Sequence, residues 1–236
     1  MLRAKNCAVP GRGEVSRPPS FWPARLCRPA VSSSILATVA RIDLFEGAWL
    51  DLHESWLSAD EAGALLDTLV RELAWEHRHI VLFGRRIMQP RLIAWAGELP
   101  YRYSGQTLEP RPWPDAARAV LARVLATAHG DFNHVLINRY RDGQDSMGYH
   151  ADAEPELGPD PLIATLSLGA RRRFSLRRHD KRSNEPTLDL WLETGSLLIM
   201  GGTCQRHYRH AIPRASGTAE QRISLTFRKL LRAPSG

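Results

Sequence analysis

From residue 133 onward the chain is cut into seven short runs: "HVLINRY", "LIATLSLG", "RRFSLR", "LDLWLE", "SLLIMGG", "RHYRHAIP" and "RISLTFRKL". Some alternate apolar with polar residues and others are continuously apolar. These are the patterns of half-buried and fully buried strands, and turn-forming residues separate them. Short strands at this density predict an all-β sandwich or barrel. Ahead of them, "SADEAGALLDTLVRELAWE" predicts a helix in which Ser58 and Glu61 form a capping box and Leu65, Leu66, Leu69 and Leu73 line one face. "PDAARAVLARVLATAHG" predicts another, starting near Pro114, burying Val120, Leu121, Val124 and Leu125, and stopped by Gly130. Helices of this kind would brace one sheet, which makes the expected fold class α+β over residues 41–236.

Residues 1–40 carry Pro10, Pro18, Pro19, Pro23 and Pro29 among arginines and serines and show neither periodicity, so they read as a disordered leader. That leader holds five of the seven net positive charges, so net charge says little about the folded part. The run "RRRFSLRRHDKR" at 171–182 says more, because its basic residues form a patch suited to a phosphate backbone whatever the total. Cys7, Cys27 and Cys204 show no C-x-x-C spacing, which argues against a disulfide framework or a thiolate zinc site and for a reducing compartment. No apolar run approaches the length of a membrane span, so no membrane partner is expected. The chain is expected to be a monomer, cytoplasmic and nucleoid-associated if bacterial, nuclear if eukaryotic.

The chemistry sits in "MGYHADAE". His150, Asp152 and Glu154 occupy every second position, so in an extended chain His150 and Asp152 share a face and converge. A third ligand is available in "CQRHYRHAIP", from His207 or His210. Two histidines and a carboxylate leave open positions on a metal, an arrangement that suits non-haem Fe(II), with zinc hydrolysis as the competitor. In "RISLTFR" alternation sets Arg222, Ser224, Thr226 and Arg228 against Ile223, Leu225 and Phe227. Two arginines on one face can grip a small dicarboxylate, since guanidinium offers paired donors and keeps its charge. Asn138 and Tyr140 share a face with Leu136 and add polar groups.

Taken together and in order, "INRY", H-x-D at 150–152, "SLLIMGG", "HAIP" and "RISLTFR" resemble the AlkB family of Fe(II)- and 2-oxoglutarate-dependent dioxygenases, and within it the duplex-acting DNA-repair branch. The resemblance implies a double-stranded β-helix (jelly-roll) core over 133–230, with helices and a nucleotide-recognition lid within 41–132. It implies that His150, Asp152 and His210 hold iron as the catalytic centre, and that His207 is a packing residue. It implies that Asn138, Tyr140, Arg222, Ser224 and Arg228 bind 2-oxoglutarate, with Arg228 on the distal carboxylate and Arg222 near the metal-chelating end. Ser224 stands where some members carry asparagine. On the substrate side, Tyr103 beside Tyr101 would stack on the damaged base opposite His150, and Glu154 would form the pocket wall against a cationic methylated ring. Phe83, flanked by Arg85 and Arg86, would be an intercalating wedge.

The activity so implied is oxidative demethylation of N-alkylated bases, of the 1-methyladenine and 3-methylcytosine type, in DNA. It uses O2 and converts 2-oxoglutarate to succinate with release of formaldehyde. The rivals are the same chemistry on RNA or tRNA, an oxygenase of small molecules or protein side chains on the same scaffold, and a non-enzymatic nucleic-acid binder.

Overall fold

The computed structural model describes residues 39–82, 84–103, 105–180, 186–216 and 219–232. Chain contacts divide after Ile35; the unit before it lies outside the described residues, as does almost all of the expected leader, and Leu36–Gly236 is one compact unit. The first strand, β1 (Val39–Asp43), begins just inside the segment expected to be leader.

Two antiparallel sheets face each other. The larger has seven strands in the order β1, β2 (Trp49–His53), β13 (Leu197–Gly201), β10 (Ile163–Gly169), β15 (Arg222–Arg228), β8 (His134–Tyr140) and β5 (Leu92–Gly97). The smaller runs β12 (Leu188–Leu192), β11 (Arg172–Arg178), β14 (Tyr208–Ile212) and β9 (Met147–His150). This is a jelly-roll arrangement, as expected, and each of the seven predicted runs contributes a strand. The large sheet does not end at residue 133, however: β1, β2 and β5 come from the N-terminal half and complete it.

The helices brace the sheet as their patterning requires. In α1 (Ala59–Glu72) the Ser58 side chain accepts from the Glu61 N–H, and Glu61 accepts in return from the Ser58 N–H, so both ends of the capping box are made. The second helix, α2 (Asp115–Ala128), differs at its end. His129, not Gly130, takes the left-handed position, with φ 49°. Gly130 is required for space instead, since a Cβ there would lie 2.9 Å from both Leu162 and Phe132 side-chain atoms. Leu69, Val120 and Val124 pack with Ile223, Leu225 and Phe227, so the apolar face of β15 meets the helices. Its polar face is thereby turned inward between the sheets, and all seven β15 residues are buried.

Two hairpins form separate two-stranded sheets in the stretch expected to hold the lid: β3 (His79–Leu82) with β4 (Arg85–Met88), and β6 (Tyr101–Tyr103) with β7 (Gln106–Leu108). The "GG" of "SLLIMGG" also has a steric reason. A Cβ on Gly201 would sit 2.1 Å from the Trp49 ring, and Gly202, at φ 58°, passes over the Gly47 carbonyl. Among the described residues no helix is long and apolar enough to cross a membrane.

Candidate active site

Strands β9 and β14 are neighbours, and their ladder places His150 directly opposite His210. The two rings lie 4.2 Å apart between centroids, with Phe174 stacked behind His210 at 5.4 Å. The strand β9 ends at His150, so Asp152 lies just beyond it rather than within an extended run. Its backbone N–H has left the ladder and is satisfied by the buried side chain of Gln205, whose Oε1 accepts it at 2.9 Å. Gln205 itself is positioned by a short helix, α3 (Cys204–His207).

His150, Asp152 and His210 line one cavity with Asn138, Tyr140, Arg222, Ser224 and Arg228. The expected metal and co-substrate residues are therefore brought together. His207 is not among them: its Nε2 lies 3.5 Å from Glu46 Oε2 and its ring meets Phe45 edge-on.

The two arginines are reversed from expectation. Arg228 Nη2 donates to Asp152 Oδ1 at 2.8 Å, so Arg228, expected at the far end, lies at the Asp152 end of the cavity. Arg222 lies away from it, donating through Nη2 to Ser167 Oγ at 2.9 Å with its guanidinium 5.2 Å from the Tyr140 ring centroid. Strand alternation sets which face both arginines share. It leaves open which end of β15 meets Asp152, and the Arg228–Asp152 hydrogen bond shows that it is the C-terminal end.

Electrostatics suit ligand binding. Burial pushes the His210 imidazole down to about 3 and lowers His150, so both are neutral at ordinary pH. Burial alone would raise the Asp152 carboxyl, but Arg228 and the two imidazoles outweigh it and hold the group at about 2. Burial lowers the Arg222 guanidinium to about 10, which still leaves it charged.

One family description matches most of the chain: the 2OG-Fe(II) oxygenase superfamily, over residues 50–228. The chain belongs to that superfamily. The human protein named alpha-ketoglutarate-dependent dioxygenase alkB homolog 3 is 36% identical over 192 residues, covering 78% of this chain and 67% of the relative. The mouse protein named DNA oxidative demethylase ALKBH2 is 37% identical over 207 residues, covering 80% of this chain and 87% of the relative. The solved structure of OsALKBH1 overlays with a TM-score of 0.56 at 18% identity, covering 80% of this chain and all of that one, and it supports the fold.

The oxygenase family implies Fe(II), 2-oxoglutarate and O2, and the donor set fits them. Asp152 Oδ2 and His210 Nδ1 are buried without a partner. His150 Nδ1 bonds the Gly148 carbonyl at 2.9 Å, which fixes the ring and leaves Nε2 free. Arg222 Nε and Nη1 and Arg228 Nε and Nη1 are likewise buried and unpartnered, a set of donors that an anion would satisfy. The site is tight: among the described residues no trio of His, Cys, Asp or Glu is closed into metal-holding geometry, and the cavity volume is ≈ 30 Å³. One Asp152 oxygen is instead taken by Arg228.

The lid residues divide. Phe83 lies outside the described residues. Arg85 and Arg86 are exposed on β4, a strand on which every residue faces solvent. Tyr101 and Tyr103 are both buried, 0% and 4% exposed, within an apolar cluster with Ile93 and Leu136. The Tyr103 hydroxyl is bonded by Arg91 Nη2 at 2.7 Å, so in this structure neither ring offers an open stacking face. Glu154, expected at the pocket wall, is not among the residues lining the cavity; its carboxyl is raised by burial and by Asp152.

The oxygenase also uses residues that sequence reasoning missed. Arg91 is buried and joins Asn138 Oδ1, the Tyr103 hydroxyl and the Ser146 carbonyl. Arg172, read as part of the basic patch, is buried too, with its guanidinium on the carbonyls of Asp142, Asp145 and Pro213. Alternation within "RRRFSLRR" was the available signal, since Arg172 has the parity of the inward-facing Phe174.

Proposed function

We propose that this oxygenase demethylates N-alkylated bases in DNA, of the 1-methyladenine and 3-methylcytosine kind. Iron and 2-oxoglutarate, when bound, supply oxidation of the N-methyl carbon by O2, with succinate, carbon dioxide and formaldehyde as products. The names of the human and mouse relatives support a DNA substrate for this chemistry. The observation that carries the reading is the pair of buried guanidiniums with unspent donors in the same cavity as His150, Asp152 and His210.

Each residue then has a task. His150, Asp152 and His210 would hold the metal. Arg222, with Ser224 two residues along the same strand and Asn138 opposite Ser224 on β8, would hold the far carboxylate of the co-substrate. Arg228 would orient Asp152 and face the near carboxylate. Glu154 would favour a methylated, positively charged ring over a neutral base by Coulomb attraction in a water-poor pocket. Arg85 and Arg86 on the lid would meet backbone phosphates.

The test is incubation of the full chain with Fe(II), 2-oxoglutarate, air and methylated oligonucleotides, as single-stranded DNA, duplex DNA and RNA. Formaldehyde and succinate formed together with restored DNA base support the reading. Turnover confined to RNA, or succinate formed without any base repair, overturns it.

A further inference from the structure

Among the described residues, the outward face of the four-stranded sheet carries two guanidiniums, Arg177 and Arg209, with no carboxylate partner. Arg177 on β11 stands directly opposite Arg209 on β14. Like charges opposite one another on a sheet are unfavourable, with Cβ atoms about 5 Å apart. Among the described residues the two find ring partners rather than carboxylates: Arg177 lies 3.8 Å over the Tyr149 ring, and Arg209 meets the His179 ring nitrogen. Farther across, Arg173 faces Trp191, which is 51% exposed and has Arg171 stacked 4.3 Å over its ring. Asp189 pairs with Arg173 and also accepts from the Ser175 hydroxyl, and Glu193 pairs with Arg171.

The placement links this face to the catalytic cavity. Alternation along β9 turns His150 inward and its neighbour Tyr149 outward, and β9 is the edge strand of the sheet. A strand with one base in the cavity reaches Tyr149 by rounding that edge. Four strands at ~4.8 Å spacing span ~14 Å, the length of about four stacked nucleotides at about 3.4 Å each. Exposed rings alternating with guanidiniums make a platform on which bases of any sequence stack while the cations meet phosphates.

We infer that this outer face, from Tyr149 through Arg177 and Arg209 to Arg173 and Trp191, binds the single strand flanking the nucleotide held in the cavity. The inference rests on the nucleic-acid reading above and adds a second contact, remote from the reacting base and indifferent to sequence. It makes catalysis depend on the length of the strand.

The test compares the full chain with an R173Q/R177Q double variant and with Trp191→Ala. Binding of a labelled, unmethylated 20-nucleotide single strand is measured against salt, and turnover is measured on methylated substrates of three and of twenty nucleotides. The double variant is expected to bind the 20-mer about tenfold more weakly, with a log–log salt slope shallower by about 1.4, or about 0.7 per lost phosphate contact. Its KM on the 20-mer rises by the same factor, while turnover of the trinucleotide is unchanged. Trp191→Ala, which removes no charge, is expected to weaken 20-mer binding several-fold at unchanged slope, and it carries the test if the double variant does not fold. Unchanged 20-mer binding in either folded variant, an equal loss on the trinucleotide, or equally tight binding of poly-glutamate overturns the inference. Unmutated protein that binds the strand through this face yet repairs no base sinks the proposed function and leaves the face standing.

Discussion

Arg228 Nη2 meets Asp152 Oδ1 at 2.8 Å, with both side chains at most 2% exposed. The pair ties the last strand of the large sheet to the loop that carries the candidate carboxylate ligand. It is a load-carrying contact on both sides, because either charge left alone in that cavity would have no solvent to fall back on. Replacing Arg228 by Gln is therefore expected to cost about 3–5 kcal/mol of unfolding free energy, as for one partner removed from a buried pair. The same change should abolish measurable 2-oxoglutarate turnover. Urea denaturation of the metal-free protein decides it, and a loss below about 1 kcal/mol would mean that the pair is solvated.

Arg222 leads to a different outcome because it has no acid partner in the cavity. Ser167 holds its Nη2, and its Nε and Nη1 donors are unsatisfied, so the side chain is fixed with two donors left for an anion. Arg222→Lys keeps the charge but loses the paired donor geometry. KM for 2-oxoglutarate is expected to rise at least about tenfold, which corresponds to about 1.4 kcal/mol, with a smaller change in kcat. Steady-state kinetics with varied 2-oxoglutarate check this, and a fall confined to kcat would place Arg222 away from the co-substrate.

What the sequence revealed, and what it concealed, follows one physical division. Strand periodicity assigns faces, so the inward set Arg222, Ser224, Thr226 and Arg228 was legible before any coordinates, as was the capping box at Ser58. Periodicity carries no information about which end of a strand meets which loop, and the resemblance set Arg222 rather than Arg228 near the metal end, whereas Arg228 is the one bonded to Asp152. Arg91 was hidden for another reason. A charged residue just ahead of an apolar run looks like a strand end in water, and only the acceptors on Asn138, Tyr103 and Ser146, distant in sequence, make its burial tolerable. Tyr101 and Tyr103 looked like a stacking surface because alternation fixes their shared face without saying what covers it.

Gln205 is the residue through which the loop geometry of Asp152 can be tested. Its Oε1 accepts the Asp152 N–H at 2.9 Å, in the place where a neighbouring strand would otherwise supply a carbonyl. Gln205→Leu fills similar space without the acceptor. The expected result is metal binding weakened about 10-fold, read as the dissociation constant of Mn(II) by calorimetry. Glutamate at this position keeps an acceptor and should restore most of the affinity. Equal affinities for all three proteins would show that the loop is positioned without this bond.

His134 sets the acid sensitivity of the fold. Its ring is 1% exposed, packs 4.9 Å from Tyr101, and has neither nitrogen bonded to protein. Burial, with a contribution from Arg228, pushes its pKa down to about 3. The unfolded chain takes up a proton near the ordinary histidine value of about 6.5, whereas the folded chain refuses it until about pH 3. Protons then favour the unfolded state throughout that window, so stability is full above it and is lost as pH falls from about 6.5 towards 3, by up to about 1.4 kcal/mol per pH unit. His134→Phe keeps an aromatic ring and removes the proton site. The stability of the variant relative to the unmutated protein is therefore expected to improve steadily between pH 6.5 and 4. Urea unfolding across that range checks it, and parallel pH profiles for the two proteins would show that His134 is protonated as readily in the folded chain as in the unfolded one.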